Sequence, residues 1–304
     1  GKIVRDSISP ANRLGYMLNE KTRLVSNSVG KSFTAYLLGH SICRGDIPSL
    51  DHDLSDWPLL RNTLYANQKL IDVVNMNVGD RSFFQSQRVQ FKNSLNKKGV
   101  NHETIKYWGE ELKGTKPPWS RSFNYSQFLS GLTTNYVAFK ARNGFDQLLG
   151  EVYADKVGIE HPLTIGYVDP LAHDDDGKLS NQVWASRHDY LRIAIAMLDD
   201  WRADNCVGQY LKELYQRRLK GLPPKSDGRH HGLFRKNSHK YQRDYDYGGF
   251  FHINPSKTDD IVFVMHGFGG QIVAINFDTG TIVVAHSAYE NWDTARLVID
   301  AVNG

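Results

Sequence analysis

From residue 29 to residue 43 the chain leaves a helix almost no polar side. Phe33, Ala35, Tyr36, Leu37, Leu38, Ile42 and Cys43 spread apolar groups around nearly the whole circumference. A helix of that kind belongs inside a core that covers it on every side. Gly45 is placed to stop it. Covering such a helix takes further layers, and 304 residues are enough for one large unit or two modest ones.

The pattern downstream says what those layers are. Asp46-Ile47-Pro48-Ser49-Leu50-Asp51 is loop chemistry, followed by a short helix over Gln68 to Met76. From Phe83 to Ser120 polar residues dominate, closing with Pro117-Pro118-Trp119. Helical spacing returns at Tyr125, with Phe128, Leu129, Leu132, Tyr136 and Phe139 on one side. Ser186 with Asp189 three residues on forms a capping box, and Leu191, Ala194, Ile195 and Leu198 make the stripe of the helix it opens. Residues 221 to 246 are polar and basic and are expected as a surface excursion.

The period then changes. Ile261-Val262-Phe263-Val264, Gln271 to Phe277 and Thr281 to His286 are β-rich, with Asp278-Thr279-Gly280 as a turn, and Tyr247-Gly248-Gly249-Phe250 is expected as a further strand. A last helix is expected from the N-cap Asp293 to Val302. Helices and strands are segregated, which predicts an α+β fold rather than alternating βαβ units.

Composition narrows function by exclusion. A net charge of +4 gives no case for nucleic acid, and no apolar run reaches the length of a membrane span. The two cysteines make no framework. Cys43 is expected as a small core residue, with a disulfide to Cys206 as the lesser alternative. No apolar stretch at the amino terminus is suited to secretion, so periplasmic and cytoplasmic locations both stay open.

The start of the apolar helix carries the chemistry, and Ser26-Asn27-Ser28-Val29-Gly30-Lys31-Ser32-Phe33 supports two readings. Gly30-Lys31-Ser32 ends like a phosphate-cradling loop, but such a loop needs a glycine where Val25 stands and a strand–helix alternation that the chain lacks. The alternative places Ser28 and Lys31 on one helix face, where alcohol and amine can meet. Burial beside the apolar helix disfavours the ammonium, and a neutral amine can accept the serine proton. Free N–H groups at the helix start can then hold an oxyanion. The bland counterpart is an N-cap serine beside a surface lysine.

Two further stretches bear on the choice. Arg121-Ser122-Phe123-Asn124-Tyr125-Ser126-Gln127 puts a tyrosine at a loop-to-helix transition, and Met265-His266-Gly267-Phe268-Gly269-Gly270-Gln271 is expected as a glycine-rich strand start that permits close approach. In order, the three stretches resemble the S-x-x-K, Y-x-N and K-T-G motifs of the serine β-lactamase and penicillin-binding-protein superfamily. The similarity is closest to the branch of class C β-lactamases, their related esterases and 6-aminohexanoate-dimer hydrolase. Gly45 to Asp53, Leu70 to Asp80 and Ala185 to Leu191 resemble further family segments, so the likeness runs from about Arg23 to Val302.

The resemblance implies an antiparallel sheet flanked by terminal helices, beside an all-helical region. Residues 1–45 and 241–304 would form the sheet side and 46–240 the helical side of one unit. It implies Ser28 as acylated nucleophile, Lys31 as its proton acceptor and Tyr125 as the acid that serves the leaving group. The N–H groups of Ser28 and Phe268, the latter following Gly267, would form the oxyanion hole. It implies neither cofactor nor metal, and a small-molecule ester or amide as substrate.

Three departures qualify it. Gln127 stands where the family has Asn or Ser. Met265-His266-Gly267 lacks the lysine of K-T-G unless His266 fills its place, which favours neutral substrates. Only 27 residues precede Ser28, and Leu14 to Val25 is apolar enough for one strand at most, so the sheet is expected to be short or the chain to begin inside the native protein. A β-lactamase or D-peptidase with the same site, and a silent binding protein on the fold, are the other readings.

The remaining features read as structural. His173-Asp174-Asp175-Asp176-Gly177 is patterned like a calcium loop without its first carboxylate or final glutamate, and is expected as a solvated turn. His230-His231 has no partner at zinc spacing. Trp119, Trp184, Tyr245 and Tyr247 are core aromatics in the first instance and pocket lining in the second.

Overall fold

A computed structural model describes residues 1–13, 15–80, 113–115, 121, 123–166, 182–222, 245–255, 259–286 and 294–303. The polar stretch over 83–112, Trp119, the turn at 173–177, His230-His231 and the N-cap at Asp293 lie outside the described residues.

Two 3₁₀ turns, Ala11–Arg13 and Gly15–Met17, lead to β1 (Arg23–Val25) and α1 (Val29–Arg44). Then come α2 (Leu70–Val74), α3 (Gln127–Ala141) and α4 (Phe145–Leu149), which runs into a π-helical turn over Gly150–Lys156. Strands β2 (Thr164–Ile165) and β3 (Val183–Ser186) precede α5 (Arg187–Ala203) and α6 (Cys206–Gln216). The chain closes with β4 (Leu219–Leu222), β5 (Tyr245–Gly248), β6 (Phe251–Ile253), β7 (Val262–Gly267), β8 (Gln271–Asn276), β9 (Ile282–Ala285) and α7 (Thr294–Asn303). Among the described residues no helix is long and apolar enough to cross a membrane.

Six of these strands form one antiparallel sheet in the order β4-β5-β6-β7-β8-β9. Its centre reads as a continuous apolar run because both faces are covered. Phe263 and Met265 of β7 join the main core with α1, α5 and α6. Val262 and Val264, on the other face, pack with Ile272 and Ala274 against Val298, Ile299 and Val302 of α7. A strand buried on both sides loses the in–out alternation of a half-exposed one. The α+β architecture with a closing helix is the one the sequence implied. Helix α1 is likewise enclosed, with Phe33, Tyr36, Leu37 and Leu38 all buried. It ends where expected, at Gly45 with φ 88°, whose N–H bonds the Ser41 and Ile42 carbonyls.

Several expectations need correction. Leu14 to Val25 gives one strand, as expected, but that strand, β1, joins β3 and β2 in a separate three-stranded sheet. Strand β4 enters the large sheet from within the 46–240 stretch, and residues 1–22 add no strand to it. The expected strand at Tyr247–Phe250 stops at Gly248: Gly249 and Phe250, at φ 58° and 63°, are the two-residue turn between β5 and β6. Both central residues of such a turn need positive φ. Phe250 is held there by hydrogen bonds from Ser32 Oγ to its carbonyl (2.7 Å) and from its N–H to Val74 O (2.9 Å). The Gln68–Met76 helix contracts to Leu70–Val74.

Cys43 is not a free core thiol. It is disulfide-bonded to Cys206, because α6 packs its first turn against the end of α1. The partners are 163 residues apart in sequence, so nothing local announces the pairing. Helix α6 did carry a readable signal in Val207, Tyr210, Leu211 and Leu214, with Asn205 as N-cap accepting from Gly208 N–H.

Candidate active site

Ser28 occupies the N-cap of α1, where a serine ordinarily accepts a hydrogen bond from the first turn. Its side chain makes no such cap. Instead Ser28 Oγ lies 2.8 Å from Lys31 Nζ. Forgoing a cap costs about 1 kcal/mol, so the local chemistry gives up helix stability to keep the hydroxyl on the amine. Lys31 is 0% exposed, which disposes of the surface-lysine reading. Its other hydrogen-bond partner is Gln127 Oε1 at 3.2 Å, also neutral. Burial, opposed by no carboxylate among the described residues, pushes the ammonium down to about 7.

The third expected residue arrives from elsewhere in the chain. Tyr125 directly precedes Ser126, the N-cap of α3, whose Oγ accepts from Phe128 N–H. Its ring centroid is 5.2 Å from Lys31 Nζ. Burial raises the phenol well above its ordinary value, and a hydrogen bond with Ser28 opposes that rise. The loop owes its position to polar contacts. Asn124 N–H donates to Met76 O and Ser126 N–H to Met76 Sδ. Asn124 Nδ2 donates to Asp80 Oδ1 at 2.8 Å, and Tyr65 OH to Asp80 Oδ2 at 2.9 Å. Asp80 is fully buried, and that burial holds its carboxyl above the usual carboxylate range. Sequence reading missed Asp80 as a support; a lone aspartate behind Gly79 carries no local sign of where its acceptors will be used.

The end of β7 closes the site. A Cβ at Gly267 would sit 2.5 Å from Ser26 O and 3.2 Å from Asn27 Cβ, so only glycine lets the strand approach this closely. Met265 and Gly267 share one side of β7 and His266 takes the other. Met265 is fully buried in the main core. His266 is buried too, its ring 6.2 Å from that of His252. Phe268 is 65% exposed at the turn beyond, and its carbonyl accepts from Asn27 Nδ2 at 2.8 Å. Among the described residues, neither the Ser28 N–H nor the Phe268 N–H donates to a backbone carbonyl, whereas those of Val29, Gly30 and Lys31 are satisfied within the turn.

The structure thus gathers Ser28, Lys31, Tyr125 and Gln127 in direct contact and brings Gly267 and Phe268 against the turn that precedes Ser28. Tyr247 packs on Tyr125 with ring centroids 6.2 Å apart and is a wall behind it rather than pocket lining; Tyr245 is buried, and Trp184 pairs with Val25 in the small sheet. Among the described residues no cluster of three metal-ligating side chains occurs.

No family model matches the sequence, and no curated protein does. Solved structures do match. A β-lactamase/D-alanine carboxypeptidase from Pseudomonas syringae aligns with 94% of this chain and 85% of its own at a TM-score of 0.62 and 14% identity. A class C β-lactamase from Rhodobacter sphaeroides gives 0.60 at 15% identity, covering 94% and 86%. A Bacillus anthracis protein provisionally assigned as a 6-aminohexanoate-dimer hydrolase gives 0.61 at 15%, covering 94% and 72%. The chain therefore has the fold of the serine β-lactamase and penicillin-binding-protein superfamily. At these identities the likeness defines the fold, and the chemistry rests on the residues described above.

Proposed function

We propose that the protein is a metal-free serine hydrolase that cleaves a small, uncharged ester or amide through an acyl-enzyme on Ser28. The observation that carries the reading is the 2.8 Å contact between the Ser28 hydroxyl and a fully buried lysine amine that pairs with no carboxylate among the described residues. Near neutral pH a large share of Lys31 is the free amine, able to take the serine proton as Oγ attacks the substrate carbonyl. The resulting oxyanion is received by the Ser28 and Phe268 N–H groups. Tyr125, a phenol kept protonated by burial, donates to the leaving alcohol or amine and is restored by the proton held on Lys31. Water then attacks the acyl carbonyl by the reverse of these steps, releasing the acid and freeing Ser28.

A neutral substrate is favoured because the lysine of the third motif is replaced by the buried thioether of Met265, with no ammonium there to hold a carboxylate. Gln127, its carbonyl turned to Lys31, leaves its amide N–H groups for the substrate.

Hydrolysis of a p-nitrophenyl ester and labelling by a fluorophosphonate probe, both abolished in Ser28→Ala, are expected. Turnover of nitrocefin would redirect the substrate class to β-lactams. Absence of labelling and turnover across an ester and amide panel would leave a binding protein on this fold.

A further inference from the structure

Resting on the hydrolase reading, we infer that Asn27 is a positioning residue that sets the gap between the two oxyanion donors. Those donors come from segments 240 residues apart in the chain, Ser28 at the start of α1 and Phe268 at the end of β7, and no backbone hydrogen bond among the described residues joins the two turns. The tie between them runs through one side chain. Asn27 Nδ2 donates to the Phe268 carbonyl at 2.8 Å, fixing the peptide plane that follows Phe268 and so restraining the residue whose own N–H must point at the oxyanion.

Three observations make this a designed contact rather than a passing one. Asn27 sits at φ 48°, in the left-handed region, which Asn tolerates better than most residues with a side chain. In that conformation its side-chain amide reaches the turn that follows β7. Gly267 leaves room for the approach, since a Cβ placed there would come within 2.5 Å of Ser26 O and 3.2 Å of Asn27 Cβ. The Asn27 carbonyl also serves the nucleophile's turn, accepting from Gly30 N–H at 3.2 Å. One residue therefore anchors both halves of the hole. Electrostatic stabilisation of a developing oxyanion depends on donors fixed before the charge appears, so loosening this tie would be felt in the transition state and little in substrate binding.

Asn27→Gly is the discriminating variant, because glycine adopts positive φ without strain and deletes only the tie. Expected is a fall in kcat of roughly 10-fold to 100-fold on a p-nitrophenyl ester, below the about 10²- to 10³-fold that deleting a donor costs. KM should stay within about threefold, and affinity for an arylboronic acid, which forms a tetrahedral adduct on the serine, should fall by the same factor as kcat/KM. Asn27→Asp, similar in size but with no donor for the carbonyl, should show the same split. Melting temperatures of both variants, read alongside, should lie within a few degrees of the parent.

The inference is overturned if Asn27→Gly retains kcat within about threefold, if the loss falls on KM alone, or if boronate affinity is unchanged while kcat/KM drops. Failure of the underlying reading looks different: the parent itself would then neither turn over ester nor bind boronate, and Ser28→Ala would change nothing.

Discussion

The two halves of the site are held by opposite means. Helix α1, which carries Ser28 and Lys31, is clamped by apolar packing on every side, while the segment from Phe123 to Ser126, which carries Tyr125, is held largely by hydrogen bonds to Asp80 and Met76. Packing of the first kind is non-directional and tolerates small adjustments; a buried polar network loses disproportionately when one member goes. The serine and lysine should therefore be the rigid partners, and the tyrosine the one whose placement can be perturbed from a distance.

Replacing Lys31 with Met should separate chemistry from packing most sharply. Methionine fills the same buried channel without a charge to desolvate, so stability should hold or rise while kcat/KM falls by about 10²- to 10⁴-fold. A melting curve and an ester assay on one preparation check both halves; a parallel loss of stability would mean that the amine is structural.

Tyr125→Phe should cost about 10²-fold in kcat, and more for an amide than for an activated p-nitrophenyl ester, whose leaving group needs no proton. Equal losses on the two substrates would remove the tyrosine from leaving-group protonation.

The pH profile probes the pair directly. With the Lys31 ammonium at about 7, kcat/KM should fall about tenfold per unit below that value. Above it activity should hold into the alkaline range, since burial keeps the Tyr125 phenol protonated there. The stability linkage has a definite sign. An unfolded lysine titrates near 10.5 and the folded one near 7, so between those values the unfolded chain binds more protons and this residue's contribution to stability rises with pH. Below pH 7 the full cost of burying the charge is present. A profile without an inflection near 7 would contradict the assignment.

Asp80→Ala acts on the other half. It leaves the buried Tyr65 OH and the partly buried Asn124 Nδ2 without their acceptor, which should cost about 2–3 kcal/mol of stability and roughly tenfold in kcat. Smallest in its effect on turnover is reduction of Cys43–Cys206, expected to lower stability by about 2–4 kcal/mol and to leave kcat within about twofold at low temperature.

What the sequence disclosed follows the same division. Helix α1, its glycine stop and the Ser28–Lys31 face were legible because they depend on neighbours three and four residues away. So were the capping serine of α5 and the β-rich run of β7. Asp80, the Asn27 tie and the disulfide were not, because each depends on a contact spanning many residues that neither periodicity nor composition encodes. The single short strand before Ser28 is legible in the sequence, whereas its pairing with β3 rather than the large sheet is a tertiary outcome. Gly267 was noticed as a place of close approach, and what approaches it, the Ser26 carbonyl, became visible only in three dimensions.

The Cys43–Cys206 bond also has a topological consequence. The covalent ring it closes contains Tyr125 and Gln127 but neither Ser28, Lys31, Gly267 nor Phe268. A protease that cuts once anywhere inside that ring would leave two fragments that migrate together until a thiol is added, with the nucleophile on one piece and the end of β7 on the other.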